Sequence, residues 1–218
     1  MAAQHGVATT AQALALGYSE GELQRLRRGP RRVLTSLRRG VYALHAHAAA
    51  ASVEDLHRLR IAGLYIRLGD TAVLSHESAA IEHGMAMLDP DLALLHVTRE
   101  THGARHEADV QHHVAELPED HVVRRDGLFD LTSPARTAID IARACVRLEC
   151  AVAVLDSALR LGVSRDELDA VWLKCRSWPG ARSVARALAM ADGRAANPGE
   201  SWSRAILVEE GVPPLELQ

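Results

Sequence analysis

The chain has 218 residues, 48% of them hydrophobic and 24% charged, with a formal net charge of −3, which is enough apolar material for one large core or two small ones. No apolar run approaches the roughly 20 residues that span a bilayer, and the opening MAAQHGVATT lacks the charged start and apolar block of a secretory signal; a soluble, cytoplasmic protein is expected. Three cysteines, Cys145, Cys150 and Cys175, are odd in number and form no CxxC pair, which argues against a disulfide framework or a thiolate zinc site.

In chain order, Thr9 or Thr10 can cap a short helix through AQALAL, which Gly17 stops in a left-handed conformation. Ser19 is a second N-cap and opens EGELQRLRR, which Gly29 and Pro30 end. Helix, glycine turn and helix make a helix-turn-helix pattern. On the second helix Leu23 and Leu26 share one face, and Gln24, Arg25 and Arg28 fall on the opposite one. RRVLTSLRRGVYAL then reads as two short strands, Val33 to Leu34 and Gly40 to Leu44, with Arg31, Arg32, Arg38 and Arg39 near the ends and tip of the hairpin. The alanine run Ala48 to Ala51 reads as a linker after this wing.

Ser52 caps a helix from Val53 to Leu68, with Asp55 completing a capping box and Gly69 as the stop. Ala72 to Leu74 is a candidate strand, and SHESAAIEHG gives about two helical turns from Ser75 to Gly84. LALLHVTR, ADVQHHVAEL, HVVRRDG and LFDLT then form a β-rich middle. Ser133 and Pro134 begin a helix running to about Arg147. Further helices cover Ala151 to Leu161, Ser164 to Cys175 (Ser164 and Glu167 forming another capping box), Pro179 to Ala191, and Gly199 to Glu210. The expected fold class is α+β: an N-terminal winged helix-turn-helix over residues 1–47, a mixed region with a small sheet and C-terminal helices over 52–192, and a terminal segment over 197–218.

Charge is placed unevenly along this framework. Between Gly21 and Gly40 seven arginines face one acid, Glu22, so that window carries about +6 and the rest of the chain about −9. Arginine outnumbers lysine 24 to one throughout, so clustering is the signal rather than any single arginine. Arginines along a helix and a hairpin can neutralise phosphates and release counterions. Gln24, Arg25 and Arg28 are of the types that reach base edges, since arginine pairs with guanine and glutamine with adenine. The candidate DNA-binding set is Ser19, Gln24, Arg25, Arg27, Arg28, Arg31, Arg32, Arg38 and Arg39. The alternative is a solvated, arginine-coded surface.

The remaining chemistry is sparse. Neither a GxSxG elbow nor a GxxxxGK or GxGxxG loop is present. The densest histidine group is His96, His102, His106, His112 and His113, with Gly103 and strand patterns placing it on a loop and strands; no metal and no cofactor is expected. Trp172, Trp178 and Trp202 read as core or interface anchors. Arg136 and Asp140, one turn apart, read as an intrahelical ion pair of about a few tenths of a kcal/mol.

GVATTAQALALGYSEGELQRLRRG followed by LRRGVYAL resembles the N-terminal winged helix of AbiEi-type antitoxins, transcriptional regulators of type IV toxin–antitoxin systems. SHESAAIEHG and LTSPARTAIDIAR resemble the middle region of the actinobacterial branch of that family. The resemblance implies double-stranded DNA as the partner, autoregulation of an operon, and a partner toxin of the nucleotidyltransferase class. A homodimer would suit palindromic sites. A winged helix usually packs three helices, and the leading one is short or missing here.

NPGESWSRAILVEEGVPPLELQ is similar to the opening of a Vsr-like endonuclease domain of the PD-(D/E)XK type, with Glu200 at the place of the acid on that domain's first helix. Metal-assisted phosphodiester cleavage needs several carboxylates converging on one ion, and a single glutamate does not supply them. No catalytic residue and no enzymatic activity are therefore expected; Glu200 would be a remnant carboxylate or a first-turn residue suited to the helix dipole. Two alternatives stay open. One is the DNA-targeting part of a Vsr-like nuclease whose catalytic core lies beyond residue 218; the other is a protein-interaction module in which the acidic remainder docks a basic toxin.

Overall fold

The computed structural model describes residues 6–101, 108–125 and 129–212. It is α+β, with an N-terminal winged helix-turn-helix and a second part in which a small sheet is followed by a helical bundle. Among the described residues no helix is long and apolar enough to cross a membrane. The chain divides into two compact units, residues 1–72 with 126–129, and residues 73–125 with 130–218.

In the first unit β1 (Val7–Thr9), α1 (Thr10–Ala15), α2 (Glu20–Leu26), β2 (Leu34–Arg38), β3 (Val41–Leu44), α3 (His45–Ala50) and α4 (Val53–Leu68) follow in order. The sheet is antiparallel with strand order β1-β3-β2. Alternation along the strands splits its side chains between two faces. Val7 and Val41 point to the face where α4 packs through Leu59, Ala62 and Ile66. Gly63 permits this approach: a Cβ there would lie 2.9 Å from Val41 Cγ1. Ala8, Leu34, Tyr42 and Leu44 instead line an apolar groove of about 500 Å³ on the side of α1 and α2.

Several boundaries differ from the sequence expectation. β1 completes a three-stranded sheet where a hairpin alone is expected. The unit runs past residue 47 because α4 packs on all three strands, so the division falls after Ala72. Residues Ala48 to Ala50 continue a helix begun at His45, and the expected linker shrinks to the turn before Ser52. Helix α2 ends at Leu26, not at Gly29: the Leu26 carbonyl accepts from Val33 N (2.8 Å), which turns the chain before Arg28 can join the helix. Strand β2 begins at Leu34 and reaches Arg38, with a bulge between Ser36 and Arg38.

The second unit contains β4 (Val73–Leu74), α5 (His76–His83), β5 (Leu95–Arg99), β6 (Val110–Val114), β7 (Val122–Val123), β8 (Leu131–Thr132), α6 (Pro134–Ala144), α7 (Leu148–Arg160), α8 (Arg165–Cys175), α9 (Ala181–Met190) and α10 (Pro198–Glu209). Its sheet is mixed, in the order β6-β5-β4-β8-β7. Helices α6 and α7 form the core of the bundle, and α7 buries every residue from Ala151 to Ala158. Its alanines allow α6, α9 and α10 to lie close. The capping serines act as read: Ser133 accepts from Arg136 N, and Ser164 and Glu167 form a reciprocal box. Ser52 accepts from Asp55 N (3.0 Å), while the Asp55 carboxylate turns to Arg58 (2.8 Å).

Helix α10 belongs to this bundle instead of standing as a separate terminal segment. It packs along α7, and Arg204 pairs with the fully buried Asp156. Asp156 also accepts from Asp192 N (2.6 Å).

Arg136 and Asp140 correct the expectation of a weak surface pair. Both side chains are only 1% exposed, and Arg136 Nε donates to Asp140 Oδ2 at 2.7 Å. Arg136 Nη1 reaches the Glu116 carbonyl and His121 Nδ1, both at 3.1 Å. Arg143 Nη1 donates to the other Asp140 oxygen at 2.9 Å. The guanidinium carbons of Arg136 and Arg143 lie 4.8 and 4.9 Å from the Trp178 ring centroid, giving that tryptophan the anchoring part read for it. Gly180 closes the arrangement with φ of 80°, and a Cβ there would sit 2.1 Å from the Arg143 carbonyl oxygen. Gly180→Ala is expected to lower stability by about 1–2 kcal/mol from the left-handed conformation alone, read by urea unfolding. An unchanged midpoint would mean that the turn relaxes freely.

Candidate nucleic-acid interface

Helix α2 is opened by Ser19, whose hydroxyl accepts from Glu22 N (3.2 Å), while Ser19 N and Oγ both donate to Glu22 Oε2 (2.8 and 2.7 Å). These bonds to Ser19 hold the Glu22 carboxyl below its ordinary pKa. Ser19 is therefore occupied by capping, although it is exposed. Leu23 is the buried residue of α2, and it turns Gln24 and Arg25 outward. With its oxygen facing the guanidinium, the Gln24 amide accepts from Arg28 Nη1 and Nη2 at 3.1 and 3.0 Å. This links the last turn of α2 to the loop that follows.

Arg27 caps the C-terminal end of α2, its guanidinium carbon 5.1 Å from the Tyr42 ring centroid. Arg28, Arg31 and Arg32 occupy the loop into β2, and all three are exposed. Arg32 Nε approaches the His45 ring at 3.2 Å, and His45 Nδ1 lies 2.9 Å from Thr35 Oγ1. At the wing Arg38 closes β2 half-buried, and Arg39 is exposed in the turn with Gly40 (φ 76°). Apart from Arg38, every residue of the candidate set is exposed, and all nine lie in one short continuous section from the α2 cap to the wing tip. Arg25 approaches Glu22 only at 4.0 Å, with 77% of its own side chain exposed, so it is almost fully available to an external acceptor.

Glu200 serves as a capping residue. Glu200 N donates to Asn197 Oδ1 (3.1 Å), and the Glu200 carboxylate accepts from Ala196 N (2.8 Å) and Asn197 Nδ2 (3.2 Å). Its side chain thus completes the N-terminus of α10, in agreement with the helix-dipole reading.

A second group of polar residues gathers in the C-terminal unit. His96 of β5 and His113 of β6 fall on the same sheet face, because His113 pairs with Thr98, two residues beyond His96. His96 Nδ1 and His113 Nε2 are 3.0 Å apart. His112 alternates to the opposite face. His102 and His106 lie outside the described residues. His76, absent from the sequence-based group, joins His96 and His113: Ser75 N donates to the His96 carbonyl (3.0 Å), and His76 then takes a left-handed φ of 48°. Its ring stacks on His113 at 3.7 Å. Burial holds His96 and His113 down at about 4 and keeps His76 well below the ordinary imidazole range. All three are therefore neutral at neutral pH.

No family model matches this chain. Two curated relatives from Mycobacterium tuberculosis, the uncharacterized proteins MT2308 and Rv2248, are each 38% identical over 88 residues, covering 40% of this chain and 32% of theirs. The chain thus spans about a third of the length of the curated relatives it matches. Among solved structures, the crystal structure of RV2827C protein from Mycobacterium tuberculosis superposes with a TM-score of 0.54 at 17% identity, over 93% of this chain and 76% of that one. That likeness is one of fold.

Proposed function

We propose that this protein is a sequence-specific, double-stranded DNA-binding transcriptional regulator of the AbiEi-type antitoxin kind, which represses its own operon. The observation that supports this reading most is the continuous, exposed arginine section on a winged helix-turn-helix. Its net charge of about +6 stands on a chain whose total is −3. In this reading α2 enters the major groove with Gln24 and Arg25 toward base edges. Arg27, Arg28, Arg31 and Arg32 hold phosphates beside it, and Arg39, with the half-buried Arg38 behind it, reaches the flanking backbone from the wing. A nucleotidyltransferase-type toxin as protein partner, a homodimer on a palindromic operator and a cytoplasmic location belong to the same proposal.

The test is binding to the DNA immediately upstream of the protein's own gene, against random DNA of equal length, over a salt series. Specific binding is expected, with log affinity falling against log salt at a slope of about −4 to −6, as roughly 5–7 phosphate contacts give. Absence of binding at low salt would overturn the reading, because arginines this exposed have no internal reason to be silent.

A further inference from the structure

We propose that His76, His96 and His113 form a binding site for a divalent transition-metal ion of the zinc, cobalt or nickel class, with Glu77 as the carboxylate that orients His96. The three rings each offer a nitrogen, and these ligand atoms all lie within 4.8 Å of one another. A tetrahedral ion with bonds of about 2.0–2.1 Å to imidazole nitrogen needs neighbouring donors about 3.4 Å apart. The His96–His113 separation of 3.0 Å is already close to that, and His76 needs a further inward movement.

The outer nitrogens are arranged as metal-bound imidazoles require. His76 Nδ1 lies 3.1 Å from Ser75 Oγ, which in turn accepts from Thr98 Oγ1 at 2.8 Å; in the tautomer whose Nδ1–H donates to that hydroxyl, the Nε2 of His76 is left for the ion. His96 Nε2 lies 3.4 Å from Glu77 Oε2, a buried carboxylate oxygen that makes no well-formed hydrogen bond. A proton on His96 Nε2 would face Glu77 and leave Nδ1 as the inward lone pair. Carboxylate, histidine and metal in line are the usual outer-shell pattern of such sites.

Two further observations fit the same purpose. His76 holds a left-handed backbone without being glycine, asparagine or aspartate, a strained conformation that places its ring over His113. A pocket of about 430 Å³ opens in front of His76 and His113, with Thr98, Arg143 and Trp178 also on its wall. Two stacked rings cannot both aim a lone pair at one ion, and this space lets them part. Three histidines then leave a fourth position open toward the pocket for water or a small ligand.

The experiment is titration of the full chain, prepared without a histidine tag, with Co²⁺ alone and then with Zn²⁺ as competitor. One Co²⁺ per chain is expected, with tetrahedral ligand-field bands in the visible that Zn²⁺ abolishes. His96→Ala and His113→Ala should each weaken binding by more than about 100-fold, and Glu77→Gln by about 10–100-fold. His112→Ala, on the opposite face of β6, should leave it unchanged. Circular dichroism establishes that each variant is folded. Should a histidine-to-alanine variant unfold, Glu77→Gln and His96→Gln carry the test. Lack of stoichiometric binding, or affinity that survives in the folded His96 and His113 variants, would overturn the site.

Discussion

Replacing Asp140 with alanine is expected to lower the stability of the protein by about 3–5 kcal/mol, the usual loss when one partner of a buried ion pair is removed. For a chain of this size that corresponds to a fall in Tm of about 10 °C. The physical cause is the number of charges that Asp140 balances. One oxygen accepts from Arg136 Nε and the other from Arg143 Nη1, while Arg136 is 1% exposed and cannot turn to water. Without the carboxylate, a buried guanidinium keeps, among the described residues, the Glu116 carbonyl, His121 Nδ1 and the face of Trp178. His121 is also buried, and burial and Arg136 lower its pKa, so it stays a neutral acceptor and does not replace the lost charge.

Thermal and urea unfolding of Asp140→Ala, Asp140→Asn and the double change Arg136→Met with Asp140→Leu decide the matter. Asparagine should recover less than half of the loss, since it restores one acceptor but no charge. The apolar double change should be more stable than Asp140→Ala, because it removes the stranded guanidinium, though the Glu116 carbonyl and His121 lose a donor. A loss for Asp140→Ala below about 1 kcal/mol would place this pair with solvated surface pairs.

The same pair shows what a sequence can and cannot express. Its i, i+4 spacing is legible, because it depends only on helical geometry. Its burial is not, because that depends on the Glu116 carbonyl, His121 and Trp178 arriving from other elements. The caps at Ser19, Ser133 and Ser164 are legible for the same local reason, each bonding to a backbone nitrogen three residues ahead. Strand β1 is not legible: Val7 to Thr9 is three residues long, and its partners Val41 to Ala43 lie more than thirty residues away. The end of α2 misleads because Gly29 is a sound stop signal, yet Val33 takes the Leu26 carbonyl first. His76 is invisible as a neighbour of His96 and His113 until the register of β4, β5 and β6 is known. Of the two candidate sites, then, the basic section is almost entirely sequence-encoded. The histidine site is a product of topology.

Because α2 stops at Leu26, the exposed residues divide into two mechanical groups, and their substitution is expected to have different consequences for DNA binding. Arg25 stands on a regular helix, braced by the Ser19 cap and by burial of Leu23 on the opposite face. Such a side chain can make a bidentate contact with guanine, and Arg25→Ala should weaken specific binding by about 1–3 kcal/mol, roughly 5- to 150-fold, mainly through one base position. Arg39 sits exposed in a glycine turn, a position suited to tracking a phosphate rather than to reading an edge, while Arg38, beside a bulge, keeps its Nε and Nη1 shielded from solvent. Arg39→Ala should weaken binding to every sequence alike and reduce the salt slope by about 0.9, and Arg38→Ala, whose guanidinium is partly buried, should flatten the slope less. Arg28 belongs with this second group, since it lies in the loop where its guanidinium meets Gln24. Arg28→Ala should therefore flatten the salt dependence, and should also loosen discrimination by freeing the Gln24 amide. Binding measured on an operator, on operators altered one base pair at a time and on random DNA separates these outcomes. Equal losses on all three for Arg25 and the wing arginines would mean that α2 contributes charge without readout, and sequence preference would then have to come from DNA shape.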